Sequence, residues 1–267
     1  MIFNCKELAE SELNRLSKLV EEKISLGVIQ IGENKVSEVY INEKRKAAKK
    51  IGVNFNHYKF PDTISKSDLS GEIKRFSDDG LIVQLPIKGR LNTQEVLNLI
   101  PFEKDIDVLS EVSLGRFYTG NLDILPPVTG AVDKILSDQN IDLRGKVLGV
   151  VGPGRLVGKP TLVYGLKKGA SLVSIDENTS NPEKLISKAD VLVTGVGRPN
   201  LIKKEMVKEG SVIIDAGTSK ESGRVLGDVD LENVKEKVSL VTPVPGGVGP
   251  LTVVSLLENL IKRKNGN

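Results

Sequence analysis

The chain has 267 residues, enough for two modest domains or one large one, and its composition, 39% hydrophobic and 27% charged, is ordinary for a globular protein. Its 38 basic and 35 acidic residues give a formal net charge of +3, which is too balanced to indicate a nucleic-acid partner. The single cysteine, Cys5, excludes an intramolecular disulfide and a thiolate metal cluster, and no segment has the pattern of a signal peptide or a membrane span. We therefore expect a cytoplasmic protein with no metal site, no membrane association and no nucleic-acid partner.

Short β-branched runs alternate with helical patterns from end to end, which predicts an α/β fold of parallel sheets with helices on their faces. The predicted strands are 25–31, 53–60, 80–85, 146–151, 171–175, 191–196, 212–215 and 238–242. The turn-rich stretch 118–127 is the best boundary, so we predict one domain from 1–119 with 250–267 and a second from 120–249. A closing helix from 250 to about 262 is predicted to pack back on the first domain.

The predicted helix 35–51 carries the most specific chemistry of the first half. At about 100° per residue, Lys44 falls within about 60° of Ser37 and Tyr40, and it is the one charge inside the apolar stripe. The apolar members of that stripe are Val36, Ala47, Ala48 and Ile51. A lysine in such a place snorkels to solvent, pairs, or faces a cleft, where desolvation lowers its pKa and suits it to proton transfer. A snorkelling lysine is the alternative, and the Ser-x-x-Tyr-x-x-x-Lys grouping favours the cleft.

Three further segments place polar groups or unusual backbone at the ends of strands and in turns. A buried-looking strand carries Gln84 near its C-terminal end, where doubly wound sheets hold their sites. A short loop then contains Lys104, Asp105 and Asp107. In the segment 242–250, prolines alternate with three glycines that permit close approach to a ligand. Taken singly, these segments also fit a capping amide, a solvated loop and a tight connector.

A glycine-rich turn follows the apolar run that begins at Val147. Gly152, Gly154 and Gly158 let the backbone pass close to a pyrophosphate, and the next helix offers free N–H groups to it. Asp176 lies 24 residues after Gly152, close to the ~20 expected of an acid that binds the adenosine ribose. The spacing G-x-G-x-x-x-G is one residue longer than the usual fingerprint, so an ordinary turn with a solvated Asp-Glu pair is the alternative.

These segments belong to a series of short blocks that runs through nearly the whole chain. The blocks are Ser37-x-x-Tyr40-x-x-x-Lys44, Gln84-Leu85-Pro86, Lys104-Asp105-Ile106-Asp107, Val157-Gly158-Lys159-Pro160, Ala189-Asp190-Val191-Leu192-Val193, Val196-Gly197-Arg198-Pro199, Val207-Lys208-Glu209-Gly210, Gly227-Asp228-Val229-Asp230 and Thr242-Pro243-Val244-Pro245-Gly246-Gly247-Val248-Gly249-Pro250. In this order they resemble the bifunctional methylenetetrahydrofolate dehydrogenase and methenyltetrahydrofolate cyclohydrolase family. The last block is highly specific to that family.

The resemblance implies an N-terminal α/β folate-binding catalytic domain and a Rossmann-like dinucleotide-binding domain, in a homodimer. It also implies that hydride passes from the bridging methylene of a tetrahydrofolate to a nicotinamide cofactor, and that water then attacks the methenyl carbon to give 10-formyltetrahydrofolate. By resemblance, Lys44 manages the proton of the hydrolytic step, Gln84 holds and tunes it, Tyr40 contacts the folate rings, and Asp107 binds the amino-pyrimidine edge of the pterin.

The remaining residues that the resemblance assigns fall into two groups. The further substrate-binding residues are Ser37, Pro245, Gly246 and Gly247. The cofactor-binding residues are Gly152, Gly154, Arg155, Val157, Gly158, Asp176, Glu177, Val196, Gly197, Thr218 and Gly249.

The chain departs from the common family pattern at the cofactor. Members that use NADP typically have an Arg and a Ser after the first turn glycine, then a His-Ser pair after the next strand. Here those positions hold Pro153 and Gly154, then Asp176 and Glu177. Both groups that would grip a 2′-phosphate are gone, and two acids that repel it stand in their place, so we predict a preference for NAD of at least about tenfold.

On the folate side, Val108 stands where the family usually has Gly. Two other functions stay open at this point. One is a monofunctional NAD-dependent methylenetetrahydrofolate dehydrogenase, against which the retained Lys44, Tyr40 and Gln84 argue. The other is a non-catalytic dinucleotide-binding sensor on the same scaffold.

Overall fold

The protein, seen in a computed structural model that describes residues 1–221 and 223–266, divides into two compact units. One unit contains Met1–Ala9 and Val128–Thr252, and the other contains Glu10–Pro127 and Val253–Asn267. The first residues group with the former because Ile2 pairs with Val241 as a parallel bridge. The predicted two-domain α/β fold with parallel sheets is confirmed. Asn267, the last residue of the predicted first domain, lies outside the described residues, as does Ser222 of the second.

The regular elements alternate along the chain as the sequence predicts. The strands are β1 (Ser25–Ile31), β2 (Asn54–Phe60), β3 (Gly80–Val83), β4 (Val147–Val151), β5 (Ser171–Ile175), β6 (Val191–Thr194), β7 (Val212–Asp215), β8 (Ser219–Glu221), β9 (Arg224–Leu226) and β10 (Leu240–Val241). The helices are α1 (Cys5–Ser17), α2 (Lys35–Lys50), α3 (Lys66–Ile73), α4 (Thr93–Leu97), a 3-10 turn (Phe102–Lys104), α5 (Glu111–Thr119), α6 (Pro127–Asp138), α7 (Gly158–Lys167), α8 (Pro182–Ile186), α9 (Leu231–Val234) and α10 (Val248–Lys264).

The unit built from Glu10–Pro127 has a three-stranded parallel sheet in the order β2-β1-β3. The central strand β1 is buried on both faces, as expected of a parallel strand that helices cover on each side. The strand β3 ends at Val83, two residues earlier than predicted, because Leu85 leads into Pro86, which has no N–H to continue the ladder. Gln84 therefore stands directly beyond the strand, and its backbone N–H still donates to Ile29 O at 2.8 Å.

The helix α2 lies over this sheet and begins at a strong cap. The side chain of Asn34 accepts from two backbone N–H groups of the first turn, those of Val36 at 2.9 Å and Ser37 at 3.2 Å. The buried residues of the helix are Ser37, Ile41 and Ala48. Lys44 falls between Ile41 and Ala48 in this helical series, so the predicted placement of a lysine in the apolar stripe is confirmed. Val36 was predicted on the same stripe and is instead 46% exposed, because the buried stripe centres on Ile41.

The helix α10 completes this unit with its C-terminal part. It begins two residues earlier and ends two residues later than predicted. Its buried Asn259 donates to Ile106 O at 2.9 Å and to Leu125 O at 2.7 Å, which anchors the helix to two loops of the unit. The predicted return of the last helix to the first domain is therefore confirmed. Within the part of the chain that the structure describes, no helix is long and apolar enough to cross a membrane.

The other unit has a five-stranded parallel sheet in the order β10-β7-β6-β4-β5. The chain runs outward from β4 in both directions, so β4 and its neighbours β5 and β6 form the topological switch point at which open α/β sheets bind ligands. The predicted strand 191–196 ends at Thr194, and 238–242 shortens to Leu240–Val241. The antiparallel pair β8 and β9 was not predicted, because each strand has only three residues and β8 is largely polar.

Cys5 lies at the start of α1 and is fully buried. Burial raises the pKa of its thiol to about 12, because the thiolate has no water around it. This cysteine is therefore a core side chain.

Candidate active site

Lys44 and Gln84 meet across the unit built from Glu10–Pro127. The Nζ of Lys44 donates to Oε1 of Gln84 at 2.8 Å. The amide of Gln84 is itself oriented, because its Nε2 donates to Leu85 O at 2.8 Å. The strand end that carries Gln84 and the helix that carries Lys44 therefore deliver an ammonium group and a fixed carbonyl acceptor to one point.

Burial and a neighbouring carboxylate set the ionisation of Lys44. Desolvation lowers the pKa of its ammonium group, and attraction to the nearby Asp107 carboxylate opposes that shift. Burial raises the pKa of Asp107 to about 6, while Lys44 pulls it down and Asp105 adds repulsion. Both shifts have the sign that desolvation gives, so burial outweighs the mutual attraction of the pair. An amine with a lowered pKa suits proton transfer near neutral pH.

The charged residues of the loop that carries Asp107 have different roles: two of them bond to the backbone, and Asp107 interacts with Lys44. Lys104 donates to Phe76 O at 2.8 Å. Asp105 is 3% exposed and accepts from the backbone N–H of Ser110 at 2.9 Å. Both side chains hold the loop in place, which leaves Asp107 to face Lys44. Val108 follows at a φ of 57°, a left-handed conformation that is strained for a β-branched residue.

Two further side chains of α2 accompany Lys44. Ser37 is 2% exposed, and its hydroxyl has no hydrogen-bond partner among the residues that the structure describes. A buried hydroxyl without a partner is rare, and it fits a group that a bound molecule satisfies. Tyr40, one turn before Lys44, is 44% exposed and offers a ring to a ligand.

The glycine-rich turn after β4 is pressed against the start of α7. Gly152 has a φ of 83°, and a Cβ on Gly158 would collide with the carbonyl oxygen of Gly152 and with Cα of Pro153. Only glycine permits this approach. Gly154 is different, since a Cβ there would meet nothing within 4 Å. The turn therefore has no room for a side chain at Gly158, whereas Gly154 borders open space.

Several predicted cofactor residues lie together around this turn. A Cβ on Gly152 would lie 2.8 Å from Cγ2 of Val196, and one on Gly195 would lie 2.7 Å from Cγ1 of Val157. Gly197, with a φ of 79°, lies close enough to Thr218 that an added Cβ would be 3.4 Å from its carbonyl oxygen. The loops after β4, β6 and β7 thus converge at the switch point of the sheet.

The start of α7 has the features of a phosphate-binding cradle. No side chain caps its N-terminus, and Val157 stands at the capping position. In the first turn, the N–H of Lys159 donates to Gly154 O at 3.0 Å and Pro160 has no N–H, so the positive end of the helix dipole is the main feature that this terminus offers to an anion. Arg155 and Gly154 are exposed just before it. A dinucleotide pyrophosphate fits this arrangement of an uncapped helix terminus, close glycines and open surface.

Asp176 and Glu177 are exposed directly after β5. The Oδ1 of Asp176 accepts from the N–H of Asn178 and from Oγ1 of Thr179, both at 3.0 Å. The Thr179 hydroxyl bond is the main reason that the pKa of Asp176 lies below its usual range, so this side chain is an anion at neutral pH. The carboxylate is exposed, so it can also accept a hydrogen bond from a bound molecule.

The segment that includes Pro245, Gly246 and Gly247 is a loop of the same unit. The peptide bond between Val244 and Pro245 is cis, and Gly246 has a φ of 90°. A Cβ on Gly246 would lie 2.6 Å from Cε of Lys6. Gly249, in the first turn of α10, has open space where a Cβ would be.

The structure adds two buried aspartates that the sequence did not single out. Asp228 is 0% exposed and accepts four hydrogen bonds, three of them from the backbone loop after β6. Asp215 is 2% exposed, accepts from the N–H groups of Gly217 and Val229, and has its pKa raised to about 7, chiefly by burial. Asp228 did stand in one of the family-like blocks, but nothing in the sequence says which way a loop aspartate turns.

Across the described ranges, no three His, Cys, Asp or Glu side chains are placed to hold a metal ion together.

Comparisons with known proteins agree across the whole chain. Residues 3–107 match the family described as tetrahydrofolate dehydrogenase/cyclohydrolase, catalytic domain, and residues 126–267 match its NAD(P)-binding domain. The bifunctional protein FolD of Sulfurihydrogenibium sp. (strain YO3AOP1) is 38% identical over 275 residues, covering 98% of this chain and 96% of the relative.

Solved structures match equally fully. The bifunctional FolD enzyme of Campylobacter jejuni has a TM-score of 0.96 at 32% identity, covering 100% of this chain and 99% of that chain. The methylenetetrahydrofolate dehydrogenase-cyclohydrolase of Trypanosoma brucei, complexed with NADP cofactor and inhibitor, has a TM-score of 0.93 at 27% identity, covering 100% and 98%.

Proposed function

This chain belongs to the tetrahydrofolate dehydrogenase/cyclohydrolase family. Within that family, we propose that it works with NAD and not with NADP. The protein is a methylenetetrahydrofolate dehydrogenase and a methenyltetrahydrofolate cyclohydrolase. It oxidises 5,10-methylenetetrahydrofolate to 5,10-methenyltetrahydrofolate and hydrolyses that product to 10-formyltetrahydrofolate. When bound, the nicotinamide accepts the hydride that leaves the bridging methylene. The roles of single residues, the homodimer and the cytoplasmic location are part of the proposal.

The observation that carries the choice of NAD is the anionic Asp176 at the end of β5. Its carboxylate lies beside the switch point of the sheet, where the ribose of a dinucleotide would present its 2′-hydroxyl. The exposed carboxylate can accept a hydrogen bond from that hydroxyl. A 2′-phosphate would instead bring negative charge against Asp176 and the neighbouring Glu177.

The groups that would offset this repulsion are missing from the turn. Pro153 and Gly154 occupy the positions where NADP-using members have Arg and Ser, and neither can donate a side-chain hydrogen bond to a phosphate. Charge-assisted hydrogen bonds are the strong ones, so their loss supports a preference for NAD of at least about tenfold.

The test is the ratio of kcat/KM with NAD to kcat/KM with NADP in the dehydrogenase reaction. The wild type should favour NAD, and Asp176→Ser should move the ratio toward NADP. Asp142→Ser is the matched control, because Asp142 is also an exposed aspartate that accepts from a backbone N–H, that of Arg144, but it precedes β4 at the other end of the sheet. It removes the same charge and should leave the ratio unchanged. A wild type that prefers NADP would refute the proposal.

In the hydrolytic step, Lys44 is proposed to take the proton that the attacking water loses as its oxygen bonds to the methenyl carbon. Its lowered pKa makes the neutral amine accessible, and the hydrogen bond to Gln84 fixes where that amine points. The bond from the methenyl carbon to N5 then breaks as N5 is protonated and the added hydroxyl loses its proton to become the formyl oxygen, which leaves the formyl group on N10. One proton is released to solvent overall.

The proposed substrate-binding residues are Ser37, Tyr40, Asp107, Pro245, Gly246 and Gly247. Asp107, ionised above its pKa of about 6, would accept from the amino-pyrimidine edge of the pterin. Tyr40 would contact the ring system, and the hydroxyl of Ser37, which has no partner among the described residues, would find one in the substrate. The loop 245–247 would supply further substrate contacts.

Cofactor binding is proposed to rest on the convergent loops of the five-stranded unit. The pyrophosphate would lie against the N-terminus of α7, which no side chain caps and where the backbone of the glycine-rich turn approaches closely. The proposed cofactor-binding residues are Gly152, Gly154, Arg155, Val157, Gly158, Asp176, Glu177, Val196, Gly197, Thr218 and Gly249.

A further inference from the structure

Asp228 is a fully buried carboxylate that organises the loop after β6. Its Oδ2 accepts from Oγ1 of Thr194 at 2.7 Å and from the N–H of Val196 at 2.7 Å. Its Oδ1 accepts from the N–H of Gly197 at 2.8 Å and of Arg198 at 2.9 Å. Three successive backbone N–H groups thus close on one carboxylate, in the manner of an anion-binding nest whose anion is part of the chain.

We propose that Asp228 is a positioning residue for the dinucleotide, which acts by holding the backbone of residues 196–198 in the shape that the cofactor requires. The inference rests on the proposed function, because Val196 and Gly197 are cofactor-binding residues only in that proposal. Asp228 itself is 0% exposed, so it would act through the loop and not by touching the cofactor.

The loop is anchored on either side of residues 196–198, since the N–H of Gly195 donates to Val151 O and that of Asn200 to Gly227 O, both at 3.1 Å, and between these anchors the acceptor is Asp228. The loop lies beyond the end of β6, Val196 is 39% exposed, and Gly197 has a φ of 79°. Without the carboxylate, the three N–H groups that it binds would lose their acceptor, and the loop would have to turn them toward water.

The same carboxylate also touches the next loop. A Cβ on Gly217, after β7, would collide with both carboxylate oxygens of Asp228, so the backbone at Gly217 covers the charge on that side. Thr218 follows directly, and its carbonyl oxygen lies against Gly197. Asp228 therefore joins the two loops that carry the proposed cofactor residues 196, 197 and 218.

The pattern of donors requires a carboxylate and not an amide. Each oxygen of Asp228 accepts from two donors. An asparagine has one accepting oxygen and a donating NH₂ group, so Asp228→Asn would set an N–H donor against two of the four donors. The neighbouring Asp215 does not substitute, since its pKa of about 7 lets it take up a proton and lose its charge.

The experiment compares Asp228→Asn with Asp190→Asn in the full-length protein. Asp190 is a carboxylate of the same unit that accepts from a backbone N–H, that of Val147 at 2.8 Å, but at the opposite end of the sheet. For each variant, the KM for NAD, the KM for methylenetetrahydrofolate, kcat and the cofactor-independent cyclohydrolase rate are measured, together with NAD binding by calorimetry. We expect Asp228→Asn to raise the KM and the Kd for NAD by at least about tenfold, equivalent to about 1.4 kcal/mol. Its folate KM and its cyclohydrolase rate should stay within about twofold of the wild type, and Asp190→Asn should change none of these values by more.

Two outcomes overturn the inference. One is an unchanged KM for NAD in Asp228→Asn. The other is a parallel loss of cofactor binding, folate binding and cyclohydrolase activity, which would indicate a purely structural role. If Asp228→Asn does not fold, Thr194→Val removes one of the four donors without removing the charge, and it should raise the KM for NAD alone by about threefold; no rise would equally overturn the inference.

The outcome is separable from that of the proposed cofactor. The NAD to NADP ratio of the wild type tests the cofactor preference. The effect of Asp228→Asn is measured with whichever cofactor the wild type uses, so either result can stand without the other.

Discussion

Replacing Asp107 with asparagine should stabilise the fold at neutral pH while it impairs folate binding. The carboxyl has a pKa of about 6 in the folded protein, against about 3.9 in an unfolded chain. A difference of about two pKa units at about 1.4 kcal/mol each corresponds to about 2 to 3 kcal/mol of lost stability once the group is ionised. Asparagine has nearly the same shape and carries no charge to desolvate, so Asp107→Asn should recover most of that amount.

The pH dependence of the gain follows from the sign of the shift. The folded protein holds the Asp107 proton more tightly than the unfolded chain does, so stability falls as the pH rises from about 4 to about 6. Urea unfolding followed by circular dichroism should therefore give a gain for Asp107→Asn of about 2 to 3 kcal/mol at pH 8 and well below 1 kcal/mol at pH 4. The attraction to Lys44 is already contained in the pKa of about 6, which lies above the ordinary value because burial is the larger cause of the shift.

Asp105→Asn is the matched control, with the opposite sign. Asp105 is buried two residues away, and its carboxylate accepts from the N–H groups of Ser110 and Leu109. Replacing it should destabilise the protein by about 1 to 3 kcal/mol, because an amide group cannot accept on both sides. The reasoning about desolvation is refuted if Asp107→Asn is no more stable than the wild type at pH 8, or if its gain is the same at both pH values.

Three further predictions concern the lysine, the glycine-rich turn and the strained valine. Lys44→Met should abolish cyclohydrolase activity. Gln84→Leu removes the acceptor of the Lys44 ammonium group and so lowers its pKa, which should move the acid limb of the cyclohydrolase pH–rate profile to lower pH. An unmoved limb would contradict the role of the amide. Gly158→Ala should destabilise the dinucleotide unit by about 2 kcal/mol or more through backbone collision, while Gly154→Ala should leave thermal unfolding unchanged, and equal effects would show that the turn has room at both positions. Val108→Gly should be more stable than Val108→Ala by about 1 kcal/mol in urea, the reverse of the usual order, because only glycine adopts a φ of 57° without strain; a more stable alanine variant would mean that the backbone there relaxes.

Much of the fold could be predicted because most of its longer parallel strands are apolar and buried, namely β1, β3, β4, β6 and β7. The bounds of β1, β5 and β7 agree with the prediction residue for residue, since apolar runs end where polar turn residues begin. The hairpin of β8 and β9 has no such pattern, as three half-exposed residues per strand give no hydrophobic periodicity. The early end of β3 depends on where pairing stops, which the apolar run does not mark.

The candidate site could be predicted only where a residue breaks the pattern around it. Lys44 is conspicuous because it is a charge on an apolar stripe, and its lowered pKa agrees with that interpretation. In the sequence, Lys104, Asp105 and Asp107 are three charged residues of one loop with nothing to distinguish their roles. The structure distinguishes them, because Lys104 and Asp105 bond to the backbone. The role of Asp228 could not be predicted, because the donors that it binds lie about 30 residues earlier in the chain.

The buried thiol at the start of α1 has a practical consequence for spectroscopy. Cys5 is the one cysteine of the sequence, it is 0% exposed, and its pKa of about 12 leaves almost no thiolate at neutral pH. Maleimide dyes and thiol-reactive spin labels should therefore not react with Cys5 in the folded protein. A cysteine introduced at an exposed position of either unit, such as Glu177→Cys or Glu43→Cys, would take a probe at that position alone, so distances between the units could be followed in solution without first removing a native thiol.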